Sequence, residues 1–296
     1  VKDTTKNIKF YKNINIFGNT NYKNKLLNNY VNLNLTKKFY RSTSRAYVES
    51  FLSNYKNSNP DIIEIHNRPN YIKQINKKYN SNIILYFHND PLSMNGSRSI
   101  TDRNFLLKNV HKLIFNSKWS KSRFLLGLDI NKIQQKRLTV VYQSAKKVKV
   151  NFNKKKKIIS FVGKLNSAKG YDLFGKSIIK ILNRHKDWAG IVLGDEPREK
   201  LNFNHKNLKI LGFKNHETVL KLLNITSISV VCSRWNEPFG RTSLEASSRG
   251  CAVIISNRGG LPETSEHAIV LKKLNVQEIY SNINTLIKKE SYRKSL

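Results

Sequence analysis

Two glutamates, Glu237 and Glu245, bracket the run Glu237-Pro238-Phe239-Gly240-Arg241-Thr242-Ser243-Leu244-Glu245. It follows an apolar, strand-like stretch, Ile228-Ser229-Val230-Val231-Cys232-Ser233, and opens a helix-like stretch through Ser247. Pro238 and Gly240 predict a tight turn between the two. Thr242 and Ser243 suit a helix start. Such a helix aims unpaired N–H groups and the positive end of its dipole at whatever lies above the turn, so an anion is the natural guest. Two carboxylates beside an anion cradle suit a guest with hydroxyls next to its phosphates. Lys164 and Lys169 lie five apart across a predicted loop-to-helix turn, framed by Gly163 and Gly170, and can reach one diphosphate together. The plainer reading, two surface lysines in a lysine-rich chain, is weakened by that glycine frame. His88, in Phe87-His88-Asn89-Asp90-Pro91, and His66, in Ile65-His66-Asn67-Arg68-Pro69, each close a predicted strand. A strand-end histidine is ordinarily structural. Two of them, each before an asparagine and near a proline, carry more weight. Asn67, Arg68, Asn89, Asp90 and the loop Ser93-Met94-Asn95-Gly96-Ser97-Arg98 are candidate acceptor contacts. The histidines at 111, 185, 205, 216 and 267 show no metal-ligand spacing and read as ordinary surface or core residues.

These residues need elements to hold them. The second half alternates: a strand over Ile158–Val162, a helix from Lys169 to about Arg184, strands over Trp188–Gly194 and Leu208–Phe213, a short helix from His216 to Asn224 with a strand after it, the Glu237 turn and its helix, and a strand ending at Ser256. Strands alternating with helices imply a parallel sheet covered on both faces. Ligands of such sheets sit beyond the carboxyl ends of the strands, where Lys164, Gly194, Glu237 and Gly259 all fall. In the first half, strands are expected over Asp61–His66, Asn82–His88, Leu113–Ser117 and Arg137–Gln143, with helices over Tyr71–Tyr79 and Trp119–Leu126. The lysine runs at 146–149 and 154–157 read as a solvated linker between two domains, 1–150 and 151–296.

The Glu237–Glu245 run resembles the glutamate–seven residues–glutamate motif of the retaining glycosyltransferases of family 4. Phe161-Val162-Gly163-Lys164-Leu165-Asn166-Ser167-Ala168-Lys169-Gly170, Gly250-Cys251-Ala252-Val253-Ile254-Ile255-Ser256 and Gly259-Gly260-Leu261-Pro262-Glu263 resemble further segments of that family, in matching order across about residues 157–270. The resemblance implies an α/β protein of GT-B type: two Rossmann-like domains with parallel sheets facing a cleft, acceptor side first and nucleotide-sugar side second. It also leads us to expect an incomplete N-terminal domain, without its first strand and glycine-rich loop, and an unfinished C-terminal helix. The activity implied is metal-independent transfer of a hexose-type sugar from a nucleoside diphosphate to a hydroxyl, with retention of configuration and no cofactor. Glu237 would face the sugar, Glu245 the ribose hydroxyls, and Lys164 and Lys169 the diphosphate. Lys164 stands where an arginine is commoner and loses that residue's two-pronged fork. His88 would act with Glu237 as a catalytic residue. Gly163, Gly194, Phe239, Gly240, Arg241, Thr242, Gly259 and Gly260 would complete the donor site. Arg241 stands at a position usually apolar in the family, where it either contacts phosphate or points outward. Glu263 is read as a helix-start residue as readily as a ligand. His66, Asn67, Arg68, Asn89 and Asp90 are assigned to the acceptor side. The His-Asn-Arg-Pro and His-Asn-Asp-Pro segments resemble members that build lipopolysaccharide or other surface glycans, so a glycan or glycolipid acceptor is expected.

Composition sets the outer bounds. The 296 residues carry a formal net charge of +35, spread along the chain. Lysine on every solvated surface explains it, and attraction to an anionic membrane face follows. No RNP-like aromatic motif, zinc spacing or basic helix accompanies the charge, so no nucleic-acid partner is expected. No apolar run approaches a membrane span and the N-terminal residues show no secretory leader. The two cysteines, Cys232 and Cys251, lie in apolar strands and read as small core residues in a reducing cytosol. A cytoplasmic location, peripheral to the inner membrane face, is the expectation. The alternative is a truncated, non-catalytic protein that binds a nucleotide sugar or a partner.

Overall fold

The computed structural model describes residues 13–20, 28–35, 42–54, 60–146 and 148–296. Twelve strands are described within them: β1 (Ile16–Gly18), β2 (Tyr30–Asn32), β3 (Ile62–His66), β4 (Asn82–Phe87), β5 (Lys112–Phe115), β6 (Leu138–Val140), β7 (Lys156–Val162), β8 (Ala189–Leu193), β9 (Leu208–Ile210), β10 (Thr226–Val231), β11 (Ala252–Ser256) and β12 (Ile269–Leu271). The helices are α1 (Thr43–Asn54), α2 (Ile72–Ile75), α3 (Ile100–Asn109), α4 (Lys118–Leu125), α5 (Lys132–Lys136), α6 (Tyr171–Arg184), α7 (His216–Ile225), α8 (Arg241–Ser248), α9 (Val276–Lys288) and α10 (Glu290–Ser295). They form a parallel pair β1-β2, a four-stranded sheet β3-β4-β5-β6 and a six-stranded sheet β12-β11-β10-β7-β8-β9. None of the described helices is long and apolar enough to cross a membrane.

The chain divides into two units, Val1–Tyr86 with Leu92–Leu113, and Phe87–Pro91 with Ile114–Leu296. The division differs from a boundary at residue 150: residues 114–150 group with the second unit. There Phe87, Phe115 and Phe124 pack ring against ring, with centroids 5.3 to 5.7 Å apart. In the first unit, β3 and β4 pair in parallel from Ile62↔Asn82 to His66↔Tyr86. Their alternating burial turns Ile63, Ile65, Ile83 and Leu85 inward. The helix expected over Tyr71–Tyr79 is shorter, a 3-10 turn at Pro69–Tyr71 running into α2.

The second unit's six-stranded sheet follows from its sequence. Its strands β10 and β11 are buried along almost their whole length, β10 including Thr226, Ser227 and Ser229, because both faces are covered. β10 pairs with β7 on one side and β11 on the other, all in parallel. α6 and α9 bury Phe174, Ile178, Ile181, Ile279, Ile283 and Leu286 against that sheet. On the other face, α7 and α8 contribute Val219, Leu223 and Ala246 to a second cluster with Val253 and Ile255. The lysine run at 154–157 is more than a connector. Lys156 and Lys157 begin β7. The Lys155 ammonium donates to the carbonyls of Leu223, Thr226 and Arg249 at 3.1, 2.7 and 2.7 Å, and burial lowers its pKa. It ties together the C-terminal ends of α7 and α8.

Candidate active site

The site lies beyond the carboxyl ends of β7 and β10 in the second unit. After β10 the chain turns through Ser233 to Gly240 and enters α8. Glu237 forms a parallel bridge with Gly259, and the Gly260 N–H donates to the Glu237 carbonyl at 2.6 Å. The two glycines are required there: Gly259 has φ +62°, and a Cβ on it would stand 2.2 Å from that same carbonyl oxygen. At Gly240, φ is +113°, a value closed to other residues, and this reversal starts α8. Gly240, Arg241 and Thr242 thereby bring the first turn of α8 to the wall of a cavity of about 330 Å³.

The opposing cation comes from the loop after β7. Asn166 caps a 3-10 turn by accepting from the Lys169 N–H at 3.0 Å. The Lys169 ammonium reaches the Glu237 carboxylate, and both side chains line the cavity with Gly163 and Phe239. Lys164 lies instead near Glu196, whose carboxyl is pushed down to about 2, first by its hydrogen bonds from Arg198 and in smaller part by Lys164. Gly194, at the end of β8, lets the strand end approach Gly163: a Cβ there would meet the Gly163 carbonyl oxygen at 1.8 Å.

Glu245 is buried on α8, outside the cavity lining, and its Oε1 is held from two sides. Arg241 donates to it at 3.0 Å from one turn earlier, and His216 Nε2 stands 2.9 Å away at the start of α7. Arg241 turns along its own helix toward Glu245 while staying on the cavity wall and more than half exposed. His216, read from sequence as an ordinary histidine, is a partner of the second motif glutamate.

A third group of residues comes from the strand ends of the four-stranded sheet. His88 follows β4. Its carbonyl accepts from Asn116 Nδ2 at 2.9 Å, and its Nδ1 faces Gln143 Nε2 at 3.4 Å. His88, Asn89, Asn116 and Gln143 all line the cavity. Asp90 instead forms a forked ion pair with Arg123 of α4, with contacts of 3.1 to 3.3 Å. Asn116 and Gln143 were not singled out from sequence. The generic signal, a polar residue just past a parallel strand, marks many positions that face no ligand. His66, Asn67 and Arg68 belong to the first unit. His66 Nε2 lies 2.6 Å from Glu64 and its ring stacks on Tyr86. Asn67 has φ +60° and donates its N–H to the Tyr86 carbonyl. Arg68 returns a hydrogen bond to the Asn67 carbonyl.

The sheets of parallel strands between helices make this an α/β protein, and the solved structures it resembles are GT-B glycosyltransferases. Residues 143–296 match the model of the family described as glycosyl transferases group 1. The chain belongs to that family. It is 26% identical over 282 residues to spore coat protein SA of Bacillus subtilis (strain 168), across 84% of this chain and 75% of that one. Against the putative glycosyltransferase YtcC of the same organism it is also 26% identical, over 252 residues, covering 75% of this chain and 62% of the relative. Among solved structures, Anabaena HepE in complex with UDP-glucose superposes with a TM-score of 0.65 at 17% identity, over 84% of this chain and 74% of that one.

Proposed function

We propose that this chain transfers a hexose-type sugar from a nucleoside diphosphate to a hydroxyl on a glycan or glycolipid, with retention at the anomeric carbon and without metal or other cofactor. The observation that carries this reading is the meeting of Lys169, Glu237 and the first turn of α8 at one cavity. The diphosphate would take the helix N-terminus and Lys169, with Lys164 approaching from the start of the same loop. The sugar would lie between Glu237 and His88. Glu245 would accept from the ribose hydroxyls, and Gly259 and Gly260 would give the donor close access to backbone. Asn89 is the acceptor-side contact at this cavity. UDP-glucose, the compound in the HepE structure, is the first donor to try.

In the reaction, the bond from the anomeric carbon to the β-phosphate oxygen breaks. The acceptor oxygen bonds to that carbon on the same face. The acceptor proton passes to the departing phosphate oxygen, which leaves as the nucleoside diphosphate. The cations around that oxygen lower the cost of the charge it gains. The formal charge of +35 favours work at an anionic membrane face, where a lipid-linked precursor of lipopolysaccharide or another surface glycan would be met.

The test is a panel of sugar nucleotides followed by thermal shift, calorimetry and product analysis. One of them should raise the melting temperature and yield a product with the donor's anomeric configuration by NMR. EDTA should leave the rate unchanged. Glu237→Gln should lower kcat by roughly a hundredfold or more, as loss of a group at the reacting centre does. If no nucleotide binds at millimolar concentration, the proposal fails. Binding without turnover would favour the non-catalytic reading.

A further inference from the structure

Glu263 follows Pro262 in the 3-10 turn Leu261–Glu263, which starts at Gly260 on the edge of the Glu237 loop. Its carboxylate lies against another helix. Oε2 accepts from the Lys118 N–H at 2.6 Å and Oε1 from the Trp119 N–H at 2.8 Å, so a residue far along the chain caps the first turn of α4. Those N–H groups have no partner within their own helix, and a carboxylate is the best cap they can be given. A second set of bonds runs beside the first. The N-cap of α4, Ser117, donates from Oγ to the Pro238 carbonyl at 2.5 Å, and the Ser120 hydroxyl approaches the same oxygen at 3.3 Å. Gly260 packs so closely that an added Cβ would stand 2.9 Å from the Ser117 Cβ.

This grip leads to His88 by two routes. Ser120 Oγ donates to Asn116 Oδ1 at 2.8 Å, and Asn116 Nδ2 donates to the His88 carbonyl. Tyr142 stacks on Phe239 and lies close to Glu263, and its neighbour Gln143 faces His88 Nδ1. The groups that converge on the cavity thus come from loops more than a hundred residues apart, and Glu263 joins the two sets.

We propose that Glu263 is a positioning residue: by capping α4, whose Ser120 holds Asn116 against the His88 carbonyl, it fixes where His88 stands relative to Glu237. The inference rests on the glycosyl-transfer reading for its kinetic arm only. Glu263→Gln keeps the shape of the side chain and loses the charge and one acceptor. Glu263→Ala removes the cap. Both should lower kcat, by roughly tenfold to a hundredfold, as sub-ångström misplacement of a catalytic group does, while the donor KM stays within about threefold. In a His88→Ala background the further loss on adding Glu263→Gln should be less than about twofold, because the group it positions is gone.

The second arm is independent of activity. In NMR spectra of histidine-labelled protein, with His88 assigned by its loss in His88→Ala, the His88 ring signals should shift or broaden in Glu263→Gln. Those of His185, which is held by Asn284, should not move. Unmoved His88 signals overturn the proposal, as do single losses that multiply in the double variant. Movement of all histidine signals would reveal a general loss of structure and also count against it. A wild type that turns over no sugar nucleotide would sink the proposed function and leave this arm to decide.

Discussion

At the scale of single residues, the two motif glutamates have different surroundings. Glu237 faces the cavity and is met by one flexible ammonium. Glu245 is buried and anchored by a guanidinium and an imidazole that share one oxygen. Holding that oxygen turns the carboxylate toward a fixed direction before any ligand arrives, which lowers the ordering cost on binding. His216→Ala and Arg241→Ala should each weaken binding of the preferred sugar nucleotide. The expected loss is only about threefold to tenfold, since the His216 and Arg241 side chains are 60% and 57% exposed and solvent screens both contacts. Calorimetry checks this, and unchanged affinity in both variants would refute a positioning role for the pair. The cysteines are inert by burial, which pushes the Cys232 thiol up to about 12 and the Cys251 thiol to about 11.

At the scale of elements, loops around the site are held by side chains that bond to backbone. The Ala168 carbonyl accepts N–H groups from Arg234 and Trp235, and the Arg234 guanidinium makes a fork to Asp172 in the first turn of α6 at 2.6 and 2.7 Å. This clamps the lysine loop to the chain leaving β10, and so helps set Lys169 against Glu237. The Arg234 hydrogen bonds hold the Asp172 carboxyl below its usual range. A carboxyl whose folded pKa is depressed contributes stability above its unfolded value near ~4, and that stability is lost as pH falls through the folded value. Arg234→Ala should therefore cost roughly 1 kcal/mol at pH 7, a figure already discounted for the exposed guanidinium. The gap in melting temperature between variant and wild type should close as pH drops below about 4. A gap that widens on acidification would contradict the assignment.

For the whole molecule, charge is the dominant long-range quantity. At +35, the folded chain repels itself, and dissolved salt screens that repulsion over about 10 Å at 0.1 M. Raising sodium chloride from low values to roughly 0.5 M should raise the melting temperature. A flat or falling profile would show that specific ion pairs outweigh the net field. The described pairs Lys157–Asp187 and Lys221–Glu217 are exposed and contribute little, so the field should win.

Much of this was readable in the amino-acid order. The largely apolar stretches at 228–233 and 251–255 pointed to buried parallel strands, and Pro238, Gly240 and Gly259 pointed to the turns, because local sterics and burial act on neighbours in sequence. The family likeness rested on the same local segments. The contacts of Glu263 with Lys118 and Trp119, of His216 with Glu245, and of Lys155 with three backbone carbonyls left no such mark. Each joins a side chain to backbone or charge that folding alone brings near, and a polar residue at a loop or helix end looks the same in sequence whether or not a partner waits for it. The local turns and strands were therefore set by residue type and spacing. Which carboxylate meets which helix was decided only when the β-sheets had assembled.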